Sequence, residues 1–214
     1  MIWMQIEVES VLKHLAEYHK LVEATIAKDM TDKTENLFQS EDEYDPALFD
    51  VELDEAKWIY ESYFPRFLRY SLIVTTVMIL ETQLAELCDV IKNKKGLAVR
   101  AKDLKGDTLS QCKKYLEDVA KVSLIQSLWD KVIDLSKVRN CIVHAMGDME
   151  LSNDRIRLRD LVKANQGLTT GDTVFSGLEK NTLYISPDYC MLSIENIRQV
   201  FEDIFKSAGF QSSA

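Results

Sequence analysis

"FLRYSLIVTTVMIL", Phe67 to Leu80, decides the fold. It is the most apolar run in the chain and contains neither glycine nor proline. Buried strands seldom exceed about eight residues, so an apolar run of this length, with Arg69 as its one charge, reads as a buried helix. Working outward, Arg66 to Lys92 stays apolar on most faces, which marks the central helix of a bundle. Arg69 interrupts the apolar run, which falls short of the roughly 20 residues a bilayer requires, so no membrane span is expected. Pro65 is expected to split the helical segment that opens near Glu55, because its ring disrupts a helix interior and it supplies no N–H.

Further out, Ile6 to Ile26 places Val8, Val11, Leu12, Leu15, Leu21, Val22 and Ile26 close to helical spacing. Residues 29–55 are acidic, contain Pro46 and lack clear periodicity. They read as a long loop or partly disordered connection with at most a short helical turn. Downstream, 93–106 is a basic connection, and Asp107 fits the N-cap of a helix from Thr108 to about Ala120. Ser123 is expected to cap the next helix, which runs to about Met146 and stops at Gly147. A short helix over Asp154–Asn165 ends by Gly167, and 173–186 reads as two short strands around Lys180 and Asn181. Ser193 is expected to cap a last helix, Ile194 to Ala208, stopped by Gly209. The expected fold class is all-α: one domain over residues 1–214, a bundle of about five to seven helices with a small β-hairpin insert near the C-terminus.

Composition agrees. The chain is long enough for a full core, and its 7 Gly and 3 Pro, with no glycine before Gly96, favour helices over turn-rich sheet. A net charge of −9 excludes unselective binding to a polyanion and leaves a local basic patch as the route to RNA. Cys88, Cys112, Cys141 and Cys190 are scattered without a C-x-x-C pair, and Glu7 and Glu9 stand where a secretory leader would be apolar. The expected setting is therefore reducing and cytoplasmic, with free buried thiols. "HLAEYH" spaces His14 and His19 five apart, off a shared helix face, so neither a metal site nor a cofactor is expected.

"KVRNCIVHAMG", Lys137 to Gly147, carries the chemistry. On a helical wheel Leu128, Val132, Leu135, Val138 and Ile142 form one stripe, and Arg139 falls inside it. A buried guanidinium needs a partner. Asn140 and His144 are i and i+4 and share another face, flanked by Ile133 and Val143. One side of this helix suits its own bundle and the other suits a second copy of the chain. Imidazole suits proton transfer near neutrality, and a guanidinium holds a phosphate and stabilises its growing charge. RNA brings its own nucleophile, the 2′-OH.

"RNCIVH" resembles the R-x4-6-H signature of HEPN domains (higher eukaryotes and prokaryotes nucleotide-binding), and "RNCIVHAMG" is similar to the R-N-x-I-V-H-x-x-G form of its bacterial members. The resemblance covers the motif, its late position in a helical bundle and, loosely, the preceding long helix. It does not extend to the acidic segment or the hairpin. It implies an all-α homodimer and a metal-independent endoribonuclease of the kind found in toxin–antitoxin and antiviral defence systems. Two copies of the motif would meet in a shared cleft, and a cognate antitoxin or regulatory protein would restrain the activity. Carried over by position, Arg139 and His144 are catalytic and Asn140 supports them. Some members act only as binding or assembly modules, and the trio equally fits a polar network in a helical dimerisation module.

Glu81, between Leu80 and Leu84, is placed either to pair with Arg139 or to face solvent. Lys92, Lys94, Lys95, Arg100, Lys102 and Lys105 form a candidate RNA-backbone track, or a solvated face. The aromatics of 58–67 suit core or dimer contact better than base stacking. Cys141 has only a loosely placed His144 to activate it.

Overall fold

The computed structural model describes residues 2–40, 45–171 and 181–209. Its helices are α1 (Ile2–Gln39), α2 (Pro46–Lys57), α3 (Phe64–Lys95), α4 (Thr108–Lys114), α5 (Gln126–Ala145), α6 (Arg155–Ala164) and α7 (Pro187–Ser207). The strands are β1 (Leu168–Gly171) and β2 (Thr182–Ile185). The architecture is an all-α bundle with a small antiparallel hairpin near the C-terminus.

The run that opened the sequence reading is the hub. Helix α3 packs against α1, α4, α5 and α7, and Leu72, Ile73, Val77, Leu80 and Leu84 are buried along it. The main core also takes Leu12 from α1, Leu116 from the turn after α4, Val138 from α5 and Phe201 from α7.

Pro65 does not end the helix, contrary to the sequence reading. Helix α2 passes through a wide π-turn, Trp58–Tyr63, into α3, giving one helix of 50 residues. In the wide turn the Phe64 N–H reaches back to the Ile59 carbonyl, one residue farther than an α-helix reaches. The hydrogen-bond ladder thus changes step where Pro65 lacks an N–H, and the ring is accommodated. The composite helix is also long and apolar enough, by length and composition, to cross a membrane, but half of its apolar window is buried in the bundle. The run Phe67–Leu80, too short by itself for a bilayer, is one part of this longer helix.

The acidic segment is a second correction. Helix α1 continues to Gln39, and α2 starts at Pro46 behind an Asp45 cap whose carboxylate accepts the Ala47 N–H at 2.9 Å. Leu37, Phe49, Ala56 and Leu53 close the two helices into a pair with its own small core. That sparse stripe was hidden among carboxylates; residues 41–44 lie outside the described residues.

Three further boundaries differ. Ser123 does not cap α5; the carboxylate of Asp203, from α7, accepts the Ile125 N–H at 2.8 Å. Ser193 lies buried inside α7, donating to the Tyr189 carbonyl at 2.7 Å, and the cap is Ser186, followed by Pro187. In the hairpin Leu168 pairs with Ile185 and Gly171 with Thr182, so only the second strand falls within 173–186. "LTTG" exposes both threonines and offered no apolar alternation; the expected strand over 173–180 lies outside the described residues.

The end of α5 is clamped. Met146 and Gly147 adopt left-handed conformations (φ 52° and 85°), and the Gly147 N–H donates to the Cys141 carbonyl at 3.1 Å. The Tyr70 hydroxyl donates to the Leu183 carbonyl, and the Leu183 N–H donates to the Gly147 carbonyl at 2.9 Å. Helix α3, the end of α5 and β2 therefore lock together. A Cβ at Gly147 would sit 1.9 Å from the Tyr70 hydroxyl oxygen. Gly147→Ala should therefore cost about 2–5 kcal/mol in urea unfolding, combining left-handed strain with overpacking. A loss below about 0.5 kcal/mol would refute the clamp.

At the same end of α3, next to Tyr70, Arg69 donates to both carboxylate oxygens of Glu23 (2.7 and 3.0 Å) and to the Ile185 carbonyl at 3.2 Å. His19 is buried beside this group, 3.8 Å from Glu23, and burial, opposed by Glu23 and aided by Arg69, holds its pKa below the usual histidine value. The folded state thus favours neutral His19. Its contribution is intact above the unfolded-state value of about 6.5 and is lost as pH falls through that value toward the lower folded one. Stability measured by denaturant should drop between about pH 7 and about pH 5, and His19→Leu should flatten that slope. An equally steep slope in the variant rejects the assignment.

Candidate functional site

Helix α5 seals one face and leaves the other open. Val132, Leu135, Val138, Cys141, Ile142 and Ala145 are buried; Arg139 and Asn140 are half-buried, and Val143 and His144 are exposed. Arg139 meets its requirement for a partner: its Nη2 lies 2.6 Å from Glu81 Oε1, with the two side chains 22% and 27% exposed. Of the two placements open for Glu81, the structure has the one facing Arg139.

Asp107 lies near enough to Arg139 to feel its charge. As the N-cap of α4 it accepts the Ser110 N–H at 2.8 Å. That bond, then the Ser110 hydroxyl and, more weakly, the nearby Arg139 hold its carboxyl below the usual range. Its capping role was legible from its position before Thr108. Its approach to Arg139 depends on how a loop folds back and carries no sequence signal.

Asn140 and His144 point away from the bundle, and neither side chain has a hydrogen-bond partner among the described residues. Five residues separate Arg139 from His144, which is about 140° around the helix and about 7.5 Å along it. The two therefore border opposite edges of the open face, with Val143 and Asn140 between them. Within one chain they do not converge on one point. Lys137, not singled out from sequence, lies on the His144 edge and is tied to Asp154.

The six basic residues are divided between the end of α3 and the loop that follows it. Lys92, Lys94 and Lys95 follow Glu81 by 11 to 14 residues, about 17–21 Å along the axis of α3. Lys95 donates to the Ala120 carbonyl, Arg100 is paired with Asp103, and Lys102 is exposed on a short turn. Lys105 is exposed two residues before Asp107, the cap of α4. Past His144 a groove of about 810 Å³ follows the turn after α5 and the start of α6. Its charges are mixed: Arg157 is held by Asp134, Glu150 by Arg159, and Arg155 is exposed.

Cys141 sits under the motif on the buried face, and burial pushes its thiol up to about 11. A thiol so protonated near neutrality is a poor nucleophile. All four cysteines are free and buried, as their scatter suggested. Among the described residues no group of three or more His, Cys, Asp or Glu is placed to hold a metal.

No protein-family model, curated protein or solved structure matches the chain. The site therefore has to be read from its own geometry.

The Glu81–Arg139 pair yields a measurable coupling. A double-mutant cycle with Glu81→Gln and Arg139→Gln should give an interaction energy of about 1–2 kcal/mol by denaturant unfolding. Strictly additive effects would mean that the pair adds nothing in solution.

Proposed function

We propose that the chain is a metal-independent endoribonuclease of the HEPN kind, acting as a homodimer. The observation that carries the reading is the open face of α5. It presents a guanidinium, an amide and an imidazole beside exposed apolar side chains, while Glu81 holds the guanidinium from behind. Arg139 and His144 are splayed apart in one chain, and a second copy packed on the same face brings one chain's arginine toward the other's histidine. Val143, Met146 and Met78 are 47%, 68% and 57% exposed around the site, the kind of apolar surface such packing buries.

In this mechanism His144 of one copy takes the proton of the RNA 2′-OH. The 2′-oxygen attacks phosphorus, and the bond to the 5′-oxygen breaks. The partner copy's imidazole, in its protonated form, returns a proton to that leaving oxygen. The products are a 2′,3′-cyclic phosphate and a 5′-hydroxyl. Arg139 neutralises the charge that builds on the phosphoryl oxygens, and Asn140 orients the imidazole or the phosphate. Glu81 keeps Arg139 extended and is a positioning residue. Of the basic candidates, we assign the exposed Lys102 and Lys105 to the RNA strand. A toxin or defence effector in the cytoplasm, restrained by a cognate antitoxin or regulatory protein, is the biological setting we assign to this activity.

The second reading, a non-catalytic helical dimerisation module, draws on the same Glu81–Arg139 pair, since a structural network also compensates a half-buried charge. One experiment separates the two. Purified protein should cleave single-stranded RNA in the presence of EDTA, and His144→Ala should lower the rate by about 10²–10⁴-fold with an unchanged melting temperature. Equal cleavage by wild type and variant, or no cleavage by either, leaves the helical module.

A further inference from the structure

The paired helices α1 and α2 form an arm with no part in the α5 site. The main core takes residues of α1 only as far as Ala16, and the last tie to the bundle is Glu23 on Arg69. From Glu23 to Gln39, about 24 Å of α1 runs along α2 and the π-turn that follows it, over the small core of Leu37, Phe49 and Ala56. The arm is acidic. Among the described residues of 29–55, eight carboxylates stand against Lys33 alone.

Helix α2 is apolar on two faces. Phe49, Leu53 and Ala56 turn toward α1. Leu48 and Val51 turn away from it, 61% and 62% exposed, and Trp58 continues their line. Trp58 packs tilted against Tyr63 (ring centroids 4.8 Å apart) and Tyr63 meets Phe67 edge to face (4.7 Å), which extends the band toward the bundle. Glu52 and Asp54 flank the aliphatic end, and Glu55 stands on the same face between it and Trp58.

We infer that this band is the docking surface for a basic amphipathic helix of a partner protein. The apolar band offers anchors at helical spacing, and the flanking carboxylates select a cationic rim. The charge argues against the other occupants. Arm-to-arm packing of two copies sets one acidic flank on another, and RNA or an anionic bilayer is repelled. The chain's own basic stretch, 92–105, exposes Val99 as its one large apolar residue among those strongly exposed, too little to cover the band.

The probe is a synthetic leucine–lysine amphipathic helix of roughly 18 residues, long enough for the band at 1.5 Å per residue. Its control is a shuffled peptide of the same composition without an apolar face. Calorimetry on the full chain should show saturable binding of one amphipathic peptide per chain and at least tenfold weaker binding of the shuffled one. The exposed double variant Leu48→Ser/Val51→Ser should weaken binding at least tenfold with an unchanged circular dichroism spectrum. Glu52→Gln/Asp54→Asn/Glu55→Gln should reduce the salt dependence. The proposal is overturned by no binding, by equal binding of both peptides, or by binding insensitive to the aliphatic variant. It is also overturned if the chain self-associates and Leu48→Ser/Val51→Ser abolishes that association, which would make the occupant a second copy.

Discussion

Arg139 lies between Val132 and Leu135 on a helix whose inner face is sealed, and its charge has to be met there. Glu81 meets it from the middle of α3, and Asp107 comes close from the start of α4. One guanidinium therefore gathers the hub helix, the motif helix and the returning loop. The clamp of Tyr70, Gly147 and Leu183 fixes the far end of the same helix. Between these two restraints α5 has little freedom to rotate, and the face bearing Asn140, Val143 and His144 is left outward.

That constraint decides what one chain can do. Arg139 is held at one edge of the open face and His144 lies at the other, so one copy alone presents the two groups splayed apart. The proposed nuclease accordingly needs two chains, and Glu81 serves it by holding one end of the guanidinium through Nη2. Cys141, although adjacent in sequence, turns inward and has no part in the chemistry.

Much of this was legible in the sequence because it depends on local periodicity. The burial of α3 followed from an apolar run free of turn residues. The stop at Gly147 and the Asp107 cap followed from single residues at helix ends. Arg139 inside an apolar stripe required a partner, and Glu81 was a candidate because it interrupts another apolar stripe. What escaped reading is tertiary. The cap on Ile125 comes from Asp203, far along the chain, and Asp107 reaches Arg139 only because a loop doubles back. Pro65 misled because a π-turn absorbs it, and the acidic segment misled because four apolar residues suffice to pair two helices when each is long. The lysines that looked like one track in sequence are divided between the end of α3 and a returning loop. The arm also relocates the negative charge: much of it stands away from the α5 face, so an acidic chain and an RNA-handling surface are compatible.

The central claim is that Arg139 and His144 handle one phosphodiester together. The most direct test is to titrate the isotope-labelled protein with a 2′-O-methyl RNA that cannot be cleaved and to follow the Arg139 side-chain and His144 ring signals by NMR. The account predicts that both signals shift along one binding curve, with Lys105 responding and the buried His19 ring unmoved. Binding of the RNA that leaves both Arg139 and His144 unperturbed contradicts it.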